Sequence, residues 1–151
     1  MQSPALPSAL ADRPDVGQLE RSLARILAAH GEHVEFVVLF GSMARGDWSI
    51  GSDYDLIVGL VGDDGRRLVD RIGAFEALVE GPVQVFPYNR SAWQRMFEQR
   101  HLLLLEALEH GVVLHDRGAY ADLRARFRAL RERGVLAPTP GGWRVDERAS
   151  G

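Results

Sequence analysis

Hydrophobic positions along the chain switch between two periods, and the switches mark its elements. Leu19, Leu23, Ile26 and Leu27 recur at helical spacing, which predicts a helix from Asp15 as N-cap to about His30, stopped by Gly31. Val34 to Phe40 has almost no polar residue, the pattern of a central strand covered on both faces. A second apolar run, Asp55 to Leu60, ends in Gly62-Asp63-Asp64-Gly65, whose two adjacent carboxylates read as turn residues. Leu68, Ile72, Phe75, Leu78 and Val79 predict a helix over Arg66 to Glu80, ended by Gly81-Pro82. Val83 to Phe86 reads as a third strand and Pro87 to Ser91 as a turn with Ser91 as N-cap. Trp93, Met96, Phe97 and Leu102 to Leu108 give one or two apolar-faced helices with a break near His101, ended by Gly111. Val112 to Leu114 fits a short edge strand, Ala119 to Arg133 a last helix capped by Gly134, and Trp143 to Val145 a small strand. Strands alternating with helices predict an α/β (α+β) fold, a sheet with helices packed against it.

The stretch FVVLFGSMARGDWSIGSDYDLIVG, Phe36 to Gly59, concentrates the candidate chemistry. One apolar run stops at Gly41-Ser42, ten residues pass, and Asp53-Tyr54-Asp55 opens the next. On a strand Asp53 and Asp55 point to the same face, since side chains alternate. Two carboxylates close together at the start of a buried strand repel each other and are costly to desolvate. A divalent cation relieves both costs. Mg²⁺ suits the pair, because it takes oxygen ligands, usually one or two protein carboxylates, and fills its shell with water and substrate phosphates. Gly41-Ser42, where a strand ends and a short helical turn to Arg45 would begin, offers N–H groups and a hydroxyl to an anion. Arg45 shares a face with Ser42 on such a turn, and it either contacts a nucleotide phosphate or is a solvated surface residue. Trp48, in the spacer with Asp47 and Ser49, either lies beside a base or closes the loop.

Gly-Ser, a short spacer and Asp-x-Asp, each at the end of an apolar strand, resemble the signature of the nucleotidyltransferases of the DNA polymerase beta superfamily. The GSMARG opening is similar to the small, stand-alone members. The resemblance covers Val34 to Asp116, and its specific part is Gly41 to Asp55. It implies a mixed sheet with the active site at its open edge and a nucleoside triphosphate such as ATP with its phosphates on Gly41-Ser42. It further implies Asp53 and Asp55 as catalytic carboxylates holding Mg²⁺, or Mn²⁺ in its place, for transfer of a nucleoside monophosphate to an acceptor hydroxyl. The family places a third carboxylate on the strand after the following helix, and here Gln84 takes that position. An amide neither accepts a proton usefully nor adds negative charge to a metal, so activation of the nucleophile is expected to weaken while the nucleotide-bound metal persists. Glu80, the nearest carboxylate, reads as a helix-end residue. A second reading follows: a nucleotide-binding interaction module with little turnover, similar to the antitoxins paired with a helical toxin partner. A third, transfer to a small molecule such as an aminoglycoside, calls for a homodimer, because the 35 residues from Arg117 to Gly151 are thin for an acceptor domain.

Composition narrows the remaining classes. At 151 residues the chain is expected to form one domain: a loose leader over 1–14, a nucleotidyltransferase-like domain over 15–116, and a C-terminal helical extension over 117–151 packed on it. A net charge of −3 points to no nucleic-acid-coating surface. All 18 basic residues are arginines, so Arg fills any cationic role and no lysine can serve as base or Schiff-base former. Without cysteine there are no disulfides, thiolate metal sites or thiol nucleophiles. The apolar runs are too short for a bilayer and Met1 to Leu10 lacks signal-peptide character, so a cytoplasmic protein is expected. The five histidines show no ligand spacing on a shared helix face. Ala119 to Arg133 carries a stripe of Leu123, Phe127 and Leu130 ringed by Arg124, Arg126, Arg128, Arg131 and Arg133. That pattern is either a solvated face on a core helix or a docking surface for phosphates or a partner.

Overall fold

Two apolar strands set the frame, β1 (Val34–Phe40) and β2 (Tyr54–Leu60), paired antiparallel from Val34 opposite Leu60 to Phe40 opposite Asp55. The structure is a computed structural model, and it describes residues 13–41, 44 and 53–147. β3 (Val83–Tyr88) runs parallel to β2 and β4 (Val112–Asp116) antiparallel to β1, giving a four-stranded mixed sheet in the order β3-β2-β1-β4. A parallel pair needs a crossover, and α2 (Leu68–Glu76) supplies it between β2 and β3. α1 (Val16–His30) precedes β1. α3 (Arg90–Glu98), α4 (Leu102–His110) and α5 (Ala119–Glu132) follow, with a hairpin of β5 (Leu136–Thr139) and β6 (Gly142–Val145) after them.

Alternation along the central strands sorts the core into two layers. Val37, Leu39, Leu56 and Val58 meet Leu19, Leu23 and Ile26 of α1 and Phe75 of α2 on one face. Phe36, Val38 and Ile57 meet Trp93, Phe97, Leu104, Tyr120 and Phe127 on the other. Being covered twice is why β1 and β2 read as continuous apolar runs. Gly59 serves this packing: a Cβ there would come within 2.3 Å of the Phe36 ring, so the ring lies where a side chain would stand. No helix among the described residues is long and apolar enough to cross a membrane.

Most element boundaries follow the hydrophobic pattern, and the differences have local causes. α2 ends at Glu76 rather than Glu80, because Leu78 and Val79 bond back to Phe75 and Glu76 in tighter turns before Gly81 turns the chain at φ +66°. Glu80 itself is held by Arg21 (2.6 Å) and Arg25 (2.7 Å) of α1. Asp15 stands at the start of α1 but caps nothing with its side chain, which Arg13 and Tyr54 occupy. Asn89, not Ser91, caps α3 by accepting from Ala92 N at 2.9 Å. β3 continues through Pro87 to Tyr88, which an edge strand tolerates. The break near His101 is real: Arg100 has φ +54°, and His101 Nδ1 accepts from Leu103 N at the start of α4. The leader expected over residues 1–14 lies almost wholly outside the described residues.

Charged groups brace these layers. Asp63 accepts from the backbone N–H of Ser91 at 3.0 Å and from its hydroxyl. Asp64 pairs with the buried Arg71 at 2.9 Å, and Arg71 also donates to the carbonyls of Arg66 and Pro87. In α5, Arg124 donates to the carbonyls of Leu108 and Gly111, Arg131 pairs with Glu109, and Arg126 lies over the Phe97 ring at 4.7 Å. Much of the arginine face therefore serves internal packing. The hydrogen bonds from Arg71 hold the Asp64 carboxyl down at about 2. A carboxyl with a lowered folded pKa stabilises the fold above the ordinary carboxylate range, and that contribution disappears as pH falls through about 2. Urea unfolding should show Arg71→Ala losing roughly 2–3 kcal/mol at pH 7, and Asp64→Asn flattening the loss of stability between about pH 4 and pH 2. An Asp64→Asn protein with the parent's acid profile would contradict this role.

Candidate active site

The site forms where β1 ends and β2 begins. Phe40 is the register partner of Asp55, and Gly41 follows it with φ +79°, in the left-handed region that favours glycine. A Cβ on Gly41 would stand 3.2 Å from Asp55 Oδ2, so the missing side chain also makes room for the carboxylate. On the other side of β2, Asp55 is in register with Gln84 of β3. Gln84 Nε2 donates to Asp53 Oδ2 at 2.8 Å, which brings Asp53 to the same face. Asp53, Asp55, Gly41 and Gln84 thus converge at one end of the sheet. Beneath them the rings of Phe40 and Phe86 meet edge to face, with centroids 5.6 Å apart.

Ser42 and Arg45, expected at the phosphates, lie outside the described residues, as do Asp47, Trp48 and Ser49 of the spacer. Ala44, which is described, is helical and partly buried against the layer that α1 covers.

The electrostatics of the pair follow from where it sits. Asp55 is half-buried, and its carboxyl is pushed above the usual range, first by burial and then by the charge of Asp53. Nothing cationic among the described residues is seen to neutralise it; the contact on Asp53 is the neutral amide of Gln84. Two oxygen-donor carboxylates held together against desolvation and repulsion suit a small, hard divalent cation. Among the described residues no group of three or more His, Asp or Glu is placed to hold a metal ion.

Tyr54, between the two aspartates, points to the opposite face and is fully buried. Its hydroxyl donates to Asp15 Oδ1 at 2.6 Å, Asp15 pairs with Arg13 at 2.6 Å, and the Arg13 guanidinium lies 5.0 Å from the Tyr54 ring. Burial, then the bond to Asp15, pushes the phenol up, so it remains a donor. The Tyr54 backbone N–H is bonded to Pro82 O at 2.6 Å. This anchor fixes the strand residue that lies between the two aspartates. It was missed in the sequence because Tyr54 has no periodic signature and Arg13 and Asp15 lie far off in the chain.

A cavity of about 590 Å³, lined by His30, His33, Leu60, Asp63, Arg71 and Phe75, lies at the far end of β2. Its Asp63 and Arg71 are already engaged by Ser91 and Asp64, and it contains none of the converging carboxylates.

Known proteins resemble this chain in fold and in family. A structure of a toxin-antitoxin with AMP-PNP has a similar fold, with a TM-score of 0.50 at 14% identity over 75% of this chain and 86% of that one. A protein from Sulfolobus solfataricus, described provisionally as a nucleotidyltransferase, aligns at a TM-score of 0.48 and 22% identity over 76% of this chain and 93% of that one. None of the curated proteins compared matches the chain. The family model described as "Polymerase beta, Nucleotidyltransferase" matches residues 21–117, more than half of the chain and the whole segment carrying Gly41, Asp53, Asp55 and Gln84, and the chain belongs to that family.

Proposed function

We propose that the protein is a Mg²⁺-dependent nucleotidyltransferase that moves a nucleoside monophosphate from a nucleoside triphosphate to an acceptor hydroxyl. The observation that carries this reading is the convergence of Asp53 and Asp55 on one face beside the glycine turn at Gly41. These carboxylates would hold Mg²⁺, or Mn²⁺ in its place, and Gly41, Ser42 and Arg45 would receive the phosphates. The ion supplies neutralising charge to the triphosphate. The acceptor oxygen attacks the α-phosphorus in line. One P–O bond forms, the bond to the β-phosphate oxygen breaks, and pyrophosphate leaves with the electron pair. The acceptor's proton goes to solvent, because the Gln84 amide cannot take it. The chain's contribution is positioning and charge balance, as phosphoryl transfer generally requires.

The amide at position 84 favours a second reading, a nucleotide-binding module of low turnover acting on a helical protein partner. The structure of similar fold is named as a toxin-antitoxin, which supports it. Incubation with α-labelled triphosphates and Mg²⁺ separates the two. On the first reading the label moves to an acceptor, and Asp53→Asn or Asp55→Asn lowers transfer about 100-fold or more. Normal transfer in either variant would refute the site. Nucleotide binding without transfer would leave the second reading.

The raised Asp55 carboxyl adds a stability test. Its ionised form is disfavoured in the fold, so the stability it contributes is present at low pH and is lost as pH rises through the raised value. At pH 7, without metal, Asp55→Asn should therefore raise Tm while removing function. A lowered Tm would show that the charge is not a burden there.

A further inference from the structure

We propose that Gln84 is a positioning residue that holds Asp53 for a single divalent cation, so that the site loads one ion per chain. This rests on the reading of Asp53 and Asp55 as the ligands. Gln84 Nε2 donates to Asp53 Oδ2 at 2.8 Å, a bond strengthened by the carboxylate's charge, which commits one oxygen to the protein and leaves the other for a ligand. The amide is itself well placed to do this. It projects from β3 at the position in register with Asp55, two residues before Phe86, whose ring packs against Phe40. Such outer partners of metal-binding carboxylates set the orientation of the ligand.

Charge balance points the same way. A pair of divalent ions a few ångströms apart is stabilised by carboxylates that bridge or flank both. The described residues bring two carboxylates here, which balance one dication, and the strand position beside them carries a neutral amide. The N–H of Gln84 thus steadies Asp53 in the place where a further negative charge would invite a second ion.

The test is a Mn²⁺ titration of the full chain, read by electron paramagnetic resonance, with a non-hydrolysable triphosphate present. The parent should bind one Mn²⁺. Gln84 is exposed, so Gln84→Ala should keep the parent's Tm while binding Mn²⁺ about 10–100-fold more weakly. Gln84→Glu keeps the shape, removes the N–H donor and adds a charge, and should raise the count to two. Two ions on the parent, an unchanged affinity in Gln84→Ala, or a count of one in Gln84→Glu would overturn the inference. If Gln84→Ala binds like the parent while Asp53→Asn binds nothing, only the role of Gln84 falls. If the parent binds no Mn²⁺, the assignment of Asp53 and Asp55 as ligands falls with it.

Discussion

A strand buried on both faces leaves no place for charge along its length, so the polar groups of β2 gather where it enters the sheet, at Asp53 and Asp55. There burial and mutual repulsion act together on Asp55, and the neighbouring features answer that conflict. Gly41 has no side chain where Asp55 Oδ2 must pass. Gln84 offers an N–H to Asp53. Tyr54 is fastened on the opposite face by Asp15 and Arg13, so the strand residue between the carboxylates cannot twist away. A cation would complete the balance.

The layers behind the site provide the rigidity that such an arrangement needs. α1 and α2 cover one face of the sheet, α3 to α5 the other, and the central strands β1 and β2 carry charge only near their starts, at Glu35 and Asp55. Ion pairs stand at the edges of this core: Arg71 with Asp64 after β2, and Arg21 and Arg25 with Glu80 before β3. Acidic residues that could be mistaken for a second reactive cluster are thereby accounted for as braces. Folding and the proposed chemistry pull apart at Asp55, whose ionised form is disfavoured by burial and by the charge of Asp53.

The sequence made legible whatever depends on period and spacing. The apolar runs of β1 and β2, the helical stripes of α1, α4 and α5, and Gly41 with Asp53 and Asp55 at opposite ends of a spacer all follow from local rules. What it hid depends on partners distant in the chain. Asp15 has the composition of an N-cap, but a tyrosine and an arginine compete for it and win. Ser91 resembles a cap too, yet Asn89 is better placed and Asp63 takes the serine. The arginines of α5 read from their spacing as either a solvated face or a docking face, whereas Arg124 and Arg131 reach carbonyls and a carboxylate of or beside α4. Gln84 was visible as a substitution, but its bond to Asp53 required the register of β2 with β3.

The most direct test of the central claim is calorimetric titration of nucleoside triphosphates into the protein, with Mg²⁺ and then with chelator. The account predicts binding that requires Mg²⁺ and disappears with the chelator. A well-folded sample that binds no triphosphate, or binds one equally without the ion, would contradict it.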